Sequence, residues 1–124
     1  MADKPDLILL TIDALRADHL SCHGYDRETP TFDTLAAEWL HAPTTSSVSS
    51  HTREAMPPLL SGHYPERFAE TGFTQLDEPE TLAGKLREAG YVTGGFHSNP
   101  YLSRAYEFDT GFDEFYDDLL LGRN

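Results

Sequence analysis

The sequence predicts an α/β fold with a mostly parallel sheet, on three observations. Residues 7–12 are apolar apart from Thr11 and stop abruptly at Asp13, the pattern of a strand buried on both faces. Residues 91–96 make a second extended stretch, ending at His97-Ser-Asn-Pro100. Helical patterns lie between the two, and a strand–helix–strand order puts helices on the faces of a parallel sheet. Open sheets of this kind take their ligands at the carboxyl ends of strands, where Asp13 and His97 fall.

The first strand leads into a helical turn or ordered loop over 14–25, closed by Gly24. After a polar turn, Pro30 suits the first turn of a helix with Thr29 as its cap. That helix is expected to reach about Leu40, with Phe32, Leu35, Ala36, Trp39 and Leu40 on its buried face. Residues 43–53 are rich in serine and threonine, whose hydroxyls compete for backbone groups and disfavour regular structure. A helix over 52–60 comes next, with Met56, Leu59 and Leu60 inward, and Pro57 and Pro58 are expected to shorten or kink it. Residues 61–65 make a turn. The acidic stretch 66–79 is expected to be irregular and exposed. Residues 80–89 give the clearest helix, with Leu82, Leu86 and Ala89 on one stripe and Gly90 as its C-cap. The second strand, 91–96, carries two weakening glycines. A short helix is expected over 101–107, and an edge strand or extended segment over 108–116. Two or three strands do not complete such a sheet, so the chain reads as a partial unit, or as one completed by a second chain.

The charge balance excludes one class of partner. The chain has 124 residues, with 21 acidic against 9 basic, for a net charge of −12. Nucleic-acid binding needs a basic footprint, which is absent here. Self-repulsion of this size destabilises a compact state unless salt screens it, so the chain reads as halophilic. Cys22 is the single cysteine, which rules out an internal disulfide and fits a reducing compartment. The opening residues lack the apolar centre of a signal peptide, and no run approaches membrane-spanning length. A cytoplasmic location without membrane partners is the expectation.

The chemistry-bearing residues converge if the two strands are near neighbours. An unpaired carboxylate at a buried strand end is costly, and a metal ion at Asp13 removes that cost; the plainer reading of Asp13 is a helix cap. Thr52 heads the second helix, where backbone amides hold anions. A cation next to a hydroxyl lowers its pKa and orients it. Arg53 or Arg16 can make a bidentate contact with an anionic oxygen, and His97 can protonate a leaving group. Asn99 adds a polar contact. Their plainer fates are pairing of the arginines with surface acids and a turn-shaping role for Asn99. His19, His23, His51 and His63 do not stand at zinc-ligand spacing on their own, and Cys22 reads as a small buried residue.

Four ordered blocks carry a resemblance. They are Ile8-Leu-Leu-Thr-Ile-Asp-Ala-Leu-Arg-Ala-Asp-His-Leu-Ser-Cys-His-Gly-Tyr25 followed by Thr29-Pro-Thr-Phe-Asp-Thr-Leu-Ala-Ala-Glu38; Pro57-Pro-Leu-Leu-Ser-Gly-His-Tyr-Pro65; Thr81-Leu-Ala-Gly-Lys-Leu-Arg-Glu-Ala-Gly-Tyr-Val-Thr93; and Ser98-Asn-Pro-Tyr-Leu-Ser103 with Gly111-Phe-Asp-Glu-Phe-Tyr-Asp117. From about residue 5 to 118 the chain resembles the sulfatases of the alkaline phosphatase superfamily. The resemblance implies an alkaline-phosphatase-like α/β/α sandwich, of which this chain is the N-terminal part. It implies hydrolysis of sulfate or related esters with a divalent metal, calcium first and manganese or zinc as alternatives. Asp13 matches the family's first metal-binding aspartate, and Ala14 stands where many members have a second one. Counting back from Gly62, the nucleophile position falls on Thr52, which is also a candidate metal ligand. Typical members carry Cys/Ser-x-Pro-x-Arg there and convert the first residue to formylglycine. Here the text is Thr52-Arg-Glu-Ala-Met56, and threonine cannot undergo that conversion. A metal-activated threonine, as in related phosphatases and phosphodiesterases, is the consistent alternative. His97 and Asn99 lie near the family's anion-binding positions. The other metal ligands of the family come from its second half, so a partner chain supplying them, or a non-catalytic binding role, are the remaining alternatives.

Overall fold

The computed structural model describes residues 4–72, 75–76 and 80–117. The chain divides into two compact units, Met1–Thr45 and Ser46–Asn124. Among the described residues no helix is long and apolar enough to cross a membrane.

In the first unit the apolar run 7–12 does not form the strand expected of it, and Ile8 is 93% exposed. A strand exists only when its N–H and C=O groups find a laddered neighbour. Among its described residues this unit has turns, 3-10 turns and one α-helix, and no ladder forms. The chain turns at Asp13 and Ala14, the latter with a left-handed φ of 58°. Two 3-10 turns follow, Ala17–His19 and Ser21–His23. Gly24 closes the second with φ 94°, as its position in the sequence implies. Helix α1 spans Pro30–Glu38, with proline in its first turn and Thr29 as the N-cap residue.

Ser21 ties the turn to that helix. Its hydroxyl donates to Asp33 Oδ2 at 2.6 Å and accepts from Thr29 N at 2.7 Å, while Ser21 N donates to Thr29 Oγ1 at 2.9 Å. The Thr29 side chain therefore serves the neighbouring turn rather than its own helix. The expected buried face of α1 is only partly covered. Phe32 and Ala36 are half-buried, but Leu35 and Trp39 are exposed and Leu40 is 98% exposed. The helix ends at Glu38, and the extended backbone of Trp39 takes these later side chains off the stripe.

The second unit holds the core. Helix α2 spans Thr52–Ser61, with Pro57 and Pro58 inside it and both buried. The prolines do not stop the helix, which continues to Gly62 with φ 78° and its N–H on Pro58 O at 2.8 Å. Met56 and Leu60 face inward as expected, whereas Leu59 is exposed. The core consists of Phe68, Leu76 and Phe108, packed by Met56, Leu60, Leu102, Tyr106 and Phe115. Phe68 and Leu76 correct the expectation that 66–79 is an exposed stretch. Phe68 sits in a 3-10 helix over Pro65–Thr71, and Leu76 N donates to Tyr106 O at 2.9 Å. Residues 73–74 and 77–79 of that stretch lie outside the described residues.

Helix α3 spans Leu82–Glu88, shorter by two residues at its start than the periodicity suggests. Thr81 caps it, accepting from Gly84 N at 3.0 Å and donating to Thr110 O at 2.9 Å. Its buried residue is Ala83, and Leu82 is exposed. Two 3-10 turns, Pro100–Leu102 and Arg104–Tyr106, stand where a short helix was expected. Strand β1, Gly94–His97, pairs in parallel with β2, Glu114–Asp117, in the register Gly94 to Glu114 through His97 to Asp117. The entry to the pair is latched by Thr93, whose N and Oγ1 both reach Asp113 Oδ2, at 2.9 and 3.1 Å. This is a small α/β unit with a short parallel sheet.

Candidate functional site

The residues singled out for chemistry divide between the units. Asp13 and Arg16 lie in the first; Thr52, Arg53, His97 and Asn99 lie in the second.

Asp13 lies in the turn that ends the apolar run, and Arg16 precedes the first 3-10 turn. The guanidinium of Arg16 grips Asp18 through two hydrogen bonds, Nε to Oδ1 at 2.9 Å and Nη2 to Oδ2 at 2.5 Å. His19 Nδ1 lies 3.0 Å from the same Oδ1. These bonds, Arg16 first and His19 second, hold the Asp18 carboxyl down at about 2 and raise the Arg16 guanidinium. A carboxyl lowered by folding contributes stability above its unfolded pKa and loses it as pH falls through the folded one. The pairing is thus intact above about pH 4 and is lost towards about pH 2. A carbon NMR titration of the Asp18 carboxyl is expected to show its midpoint at that lower value, and Arg16→Ala to return it towards the ordinary range.

In the second unit, Thr52 is the first residue of α2 and is half-buried. The chain enters the helix through a local network. His51 O accepts from Glu54 N and Ala55 N at 3.2 and 3.0 Å, and Ser49 Oγ donates to the Glu54 carboxylate. These bonds give the serine-rich segment a defined approach to the helix, although it has no regular structure. The positive end of the helix dipole lies at this first turn. Beside Thr52, the Arg53 guanidinium lies over the Tyr101 ring, 5.3 Å from its centroid. Asn99 Oδ1 accepts from Tyr101 N at 3.0 Å and so shapes the 3-10 turn that carries this ring. Arg53, Tyr101 and Asn99 are thereby brought together.

His97 ends β1 and is paired across the sheet. Its Nε2 lies 3.1 Å from Asp117 Oδ1, with both side chains largely buried. The other carboxylate oxygen accepts from Arg104 N at 3.0 Å. Arg104 also donates to Asp109 Oδ2 at 3.2 Å and to Phe115 O, and its guanidinium lies over the Phe115 ring. The carboxylate fixes the imidazole plane from one side. Nδ1 is buried with no hydrogen-bond partner among the described residues. With Phe96, Ser98 and Tyr116 these groups line an open depression at the end of the sheet. The sequence pointed to His97 alone, because Asp117 and Arg104 are joined to it only by the strand register.

A further group emerges only from the fold. Cys22, His23 and His41 bring one thiol and two imidazoles within 4.8 Å of one another. The cluster is capable of coordinating a divalent metal ion. Cys22 and His23 are half-buried and His41 is exposed. From sequence alone Cys22 reads as a small buried residue and His23 stands at no zinc-ligand spacing; the fold adds a candidate grouping that sequence spacing does not show. A Cys-His pair and a further histidine on opposite sides of one short helix was the available signal. It becomes a cluster because the chain after α1 folds back, so that Trp39 to Ala42 line one depression with Leu20, Cys22 and His23.

Comparison with known proteins agrees with the order of the motifs. The family model described as Sulfatase matches residues 5–123. An N-acetylgalactosamine-6-O-sulfatase from Bacteroides thetaiotaomicron is 35% identical over 104 residues, covering 75% of this chain and 20% of that protein. The chain therefore spans about a fifth of the length of this curated relative. No solved structure matches.

Proposed function

Because the chain belongs to the sulfatase family, we propose that it contributes to a metal-dependent hydrolase of sulfate or phosphate esters. In this reading the chain forms the N-terminal part of an alkaline-phosphatase-like α/β/α sandwich. The other strands and metal ligands come from the rest of a longer polypeptide or from a second chain. Thr52 is the attacking hydroxyl. The observation that carries the reading is that Thr52 opens α2 with Arg53 beside it, inside the stretch matched by the family model. A helix start favours an anionic group, and a guanidinium adjacent to it matches the oxygens of a tetrahedral anion.

The implied metal ion suits some of the residues and not others. Asp13 and the Thr52 hydroxyl are hard oxygen donors, the kind that calcium and manganese take. The Cys22, His23 and His41 set is the wrong chemistry for calcium. Asp13, or the Thr52 hydroxyl, would therefore suit the hydrolytic cation with ligands from elsewhere; when bound, such an ion polarises the ester and favours an ionised hydroxyl. His97, oriented by Asp117, protonates the departing oxygen. Arg53 contacts the substrate anion, and Asn99 holds the turn beside it. An anionic ester approaching a chain of net charge −12 is repelled at low salt, so the activity belongs to a high-salt interior where screening is strong.

The test uses the tagged chain isolated from its own cells, with whatever polypeptide it is joined or bound to. An aryl sulfate or aryl phosphate is expected to be hydrolysed at high salt. A chelator is expected to stop the reaction, and calcium or manganese to restore it. Asp13→Ala is expected to raise the metal concentration needed by about tenfold or more. Hydrolysis of neither ester, or hydrolysis indifferent to the chelator, would overturn the proposal.

A further inference from the structure

We propose that Cys22, His23 and His41 form a zinc site that staples the first unit and is separate from the oxygen-ligated cation of the hydrolytic centre. The donor set is the first argument. A thiolate with two imidazoles selects zinc over calcium or magnesium, which take oxygen.

Geometry is the second argument. His23 Nε2 and His41 Nε2 lie 3.2 Å apart, with their rings edge to face. Two imidazoles on one tetrahedral zinc, at bond lengths of about 2.05 Å, place their nitrogens about 3.3 Å apart. The existing spacing therefore already matches. A thiolate and an imidazole on the same ion are about 3.6 Å apart, and the three donor atoms here fall within 4.8 Å. Without metal, one imidazole donates its Nε2–H to the other. With zinc, both rings present lone pairs at Nε2 and carry their protons on Nδ1.

The third argument is need. No described side chain of the first unit is buried. With so little apolar packing inside the unit, a metal that ties its turn to its helix adds stability there. The site joins the Ser21–His23 turn to the chain beyond α1, so it fixes both ends of the helix with one ion. Three protein ligands leave the fourth tetrahedral position to a water molecule, reached from the exposed side of His41.

The experiment uses the full chain, reduced and freed of metal, titrated with zinc and with cobalt(II) as a spectroscopic probe. Zinc is expected to bind at one ion per chain with a dissociation constant of about 1 μM or tighter, and to raise the melting temperature. Cobalt(II) is expected to give the thiolate charge-transfer band and the visible bands of a tetrahedral ion. Cys22→Ser should remove the charge-transfer band, and His41→Ala, at an exposed position, should weaken zinc by roughly 100-fold and remove the thermal shift. Asp13→Ala should leave the cobalt spectrum unchanged, which separates this site from the hydrolytic one. Zinc affinity equal in the chain, Cys22→Ser and His41→Ala would overturn the proposal. So would a cobalt spectrum without thiolate character, or one lost in Asp13→Ala.

Discussion

Thr52→Ala is expected to lower metal-dependent ester hydrolysis by roughly 10³-fold or more, equivalent to about 4 kcal/mol of lost transition-state stabilisation. The substitution removes only a hydroxyl and a methyl. Alanine is the best helix former, and position 52 is the first residue of α2, so the helix is expected to persist. A loss of this size, with unchanged far-UV circular dichroism, therefore belongs to the chemistry. Thr52→Ser keeps a nucleophilic oxygen and is expected to retain a substantial part of the activity. Steady-state rates for the three proteins with one aryl ester provide the check. Equal rates for Thr52→Ala and the unaltered chain would remove Thr52 from the mechanism and leave Ser47, Ser49 or Ser50 as the nearest alternative hydroxyls.

The second large effect is on stability. Gly111→Ala is expected to unfold the second unit or to cost it about 3 kcal/mol or more. Gly111 has φ +90°, which disfavours any side chain. A Cβ there would also collide with the Gly84 backbone, at its N and Cα, and with the Thr81 side-chain oxygen Oγ1. Gly84 N and Thr81 Oγ1 are the two atoms of the α3 cap, held at 3.0 Å. The clash cannot be relieved by a side-chain rotation, so either α3 or the loop before β2 must shift. Thr93, which donates to Gly111 O at 3.0 Å, would be dragged with it. At roughly 4–8 °C per kcal/mol for a unit this small, the melting temperature should drop by about 12 °C or more. Gly72→Ala is the control, because its φ is also positive at +65° but, among the described residues, nothing lies within 4 Å of the added atom. Differential scanning calorimetry of the two variants separates close packing from backbone strain alone.

These two sites also mark what the sequence reveals and what it conceals. Local signals were legible. Pro30 after Thr29 and Gly24 after its turn mark element ends through backbone chemistry that acts over three or four residues, whereas the Thr81 cap is not legible and the periodicity starts that helix two residues early. The partner of the 91–96 strand was not legible either: order suggests the run 7–12, whereas the ladder forms with Glu114–Asp117. Signals that depend on distant neighbours were not legible. An apolar run such as 7–12 becomes a strand only if a ladder is present beside it. Trp39 and Leu40 match the stripe of α1, but the helix ends at Glu38 and the period no longer applies to them. Phe68 and Leu76 lie among acids and prolines, and only the packing of Phe108 against them identifies them as core.

The site followed the same division. Thr52 at a helix start and His97 at a strand end were readable because each depends on its own element. The Asp117 partner of His97 was hidden, because it is set by the register of β1 on β2. The Cys22, His23 and His41 cluster was hidden by an 18-residue separation between its two histidines, closed only by the return of the chain past α1. Spacing rules for zinc ligands read short intervals, and a fold-back of this kind leaves them without a pattern.

A Thr52 hydroxyl that attacks the ester carries the phosphoryl or sulfuryl group during turnover, until water releases it. Rapid quenching of the protein isolated from its own cells, during turnover of an aryl phosphate and of an aryl sulfate, followed by peptide mass spectrometry, tests this directly. The expected result is a phosphate or sulfate ester on the Thr52 hydroxyl, absent in Thr52→Ala and absent when the divalent ion is removed. An unmodified Thr52 peptide during active turnover, or an adduct on another residue, would contradict it.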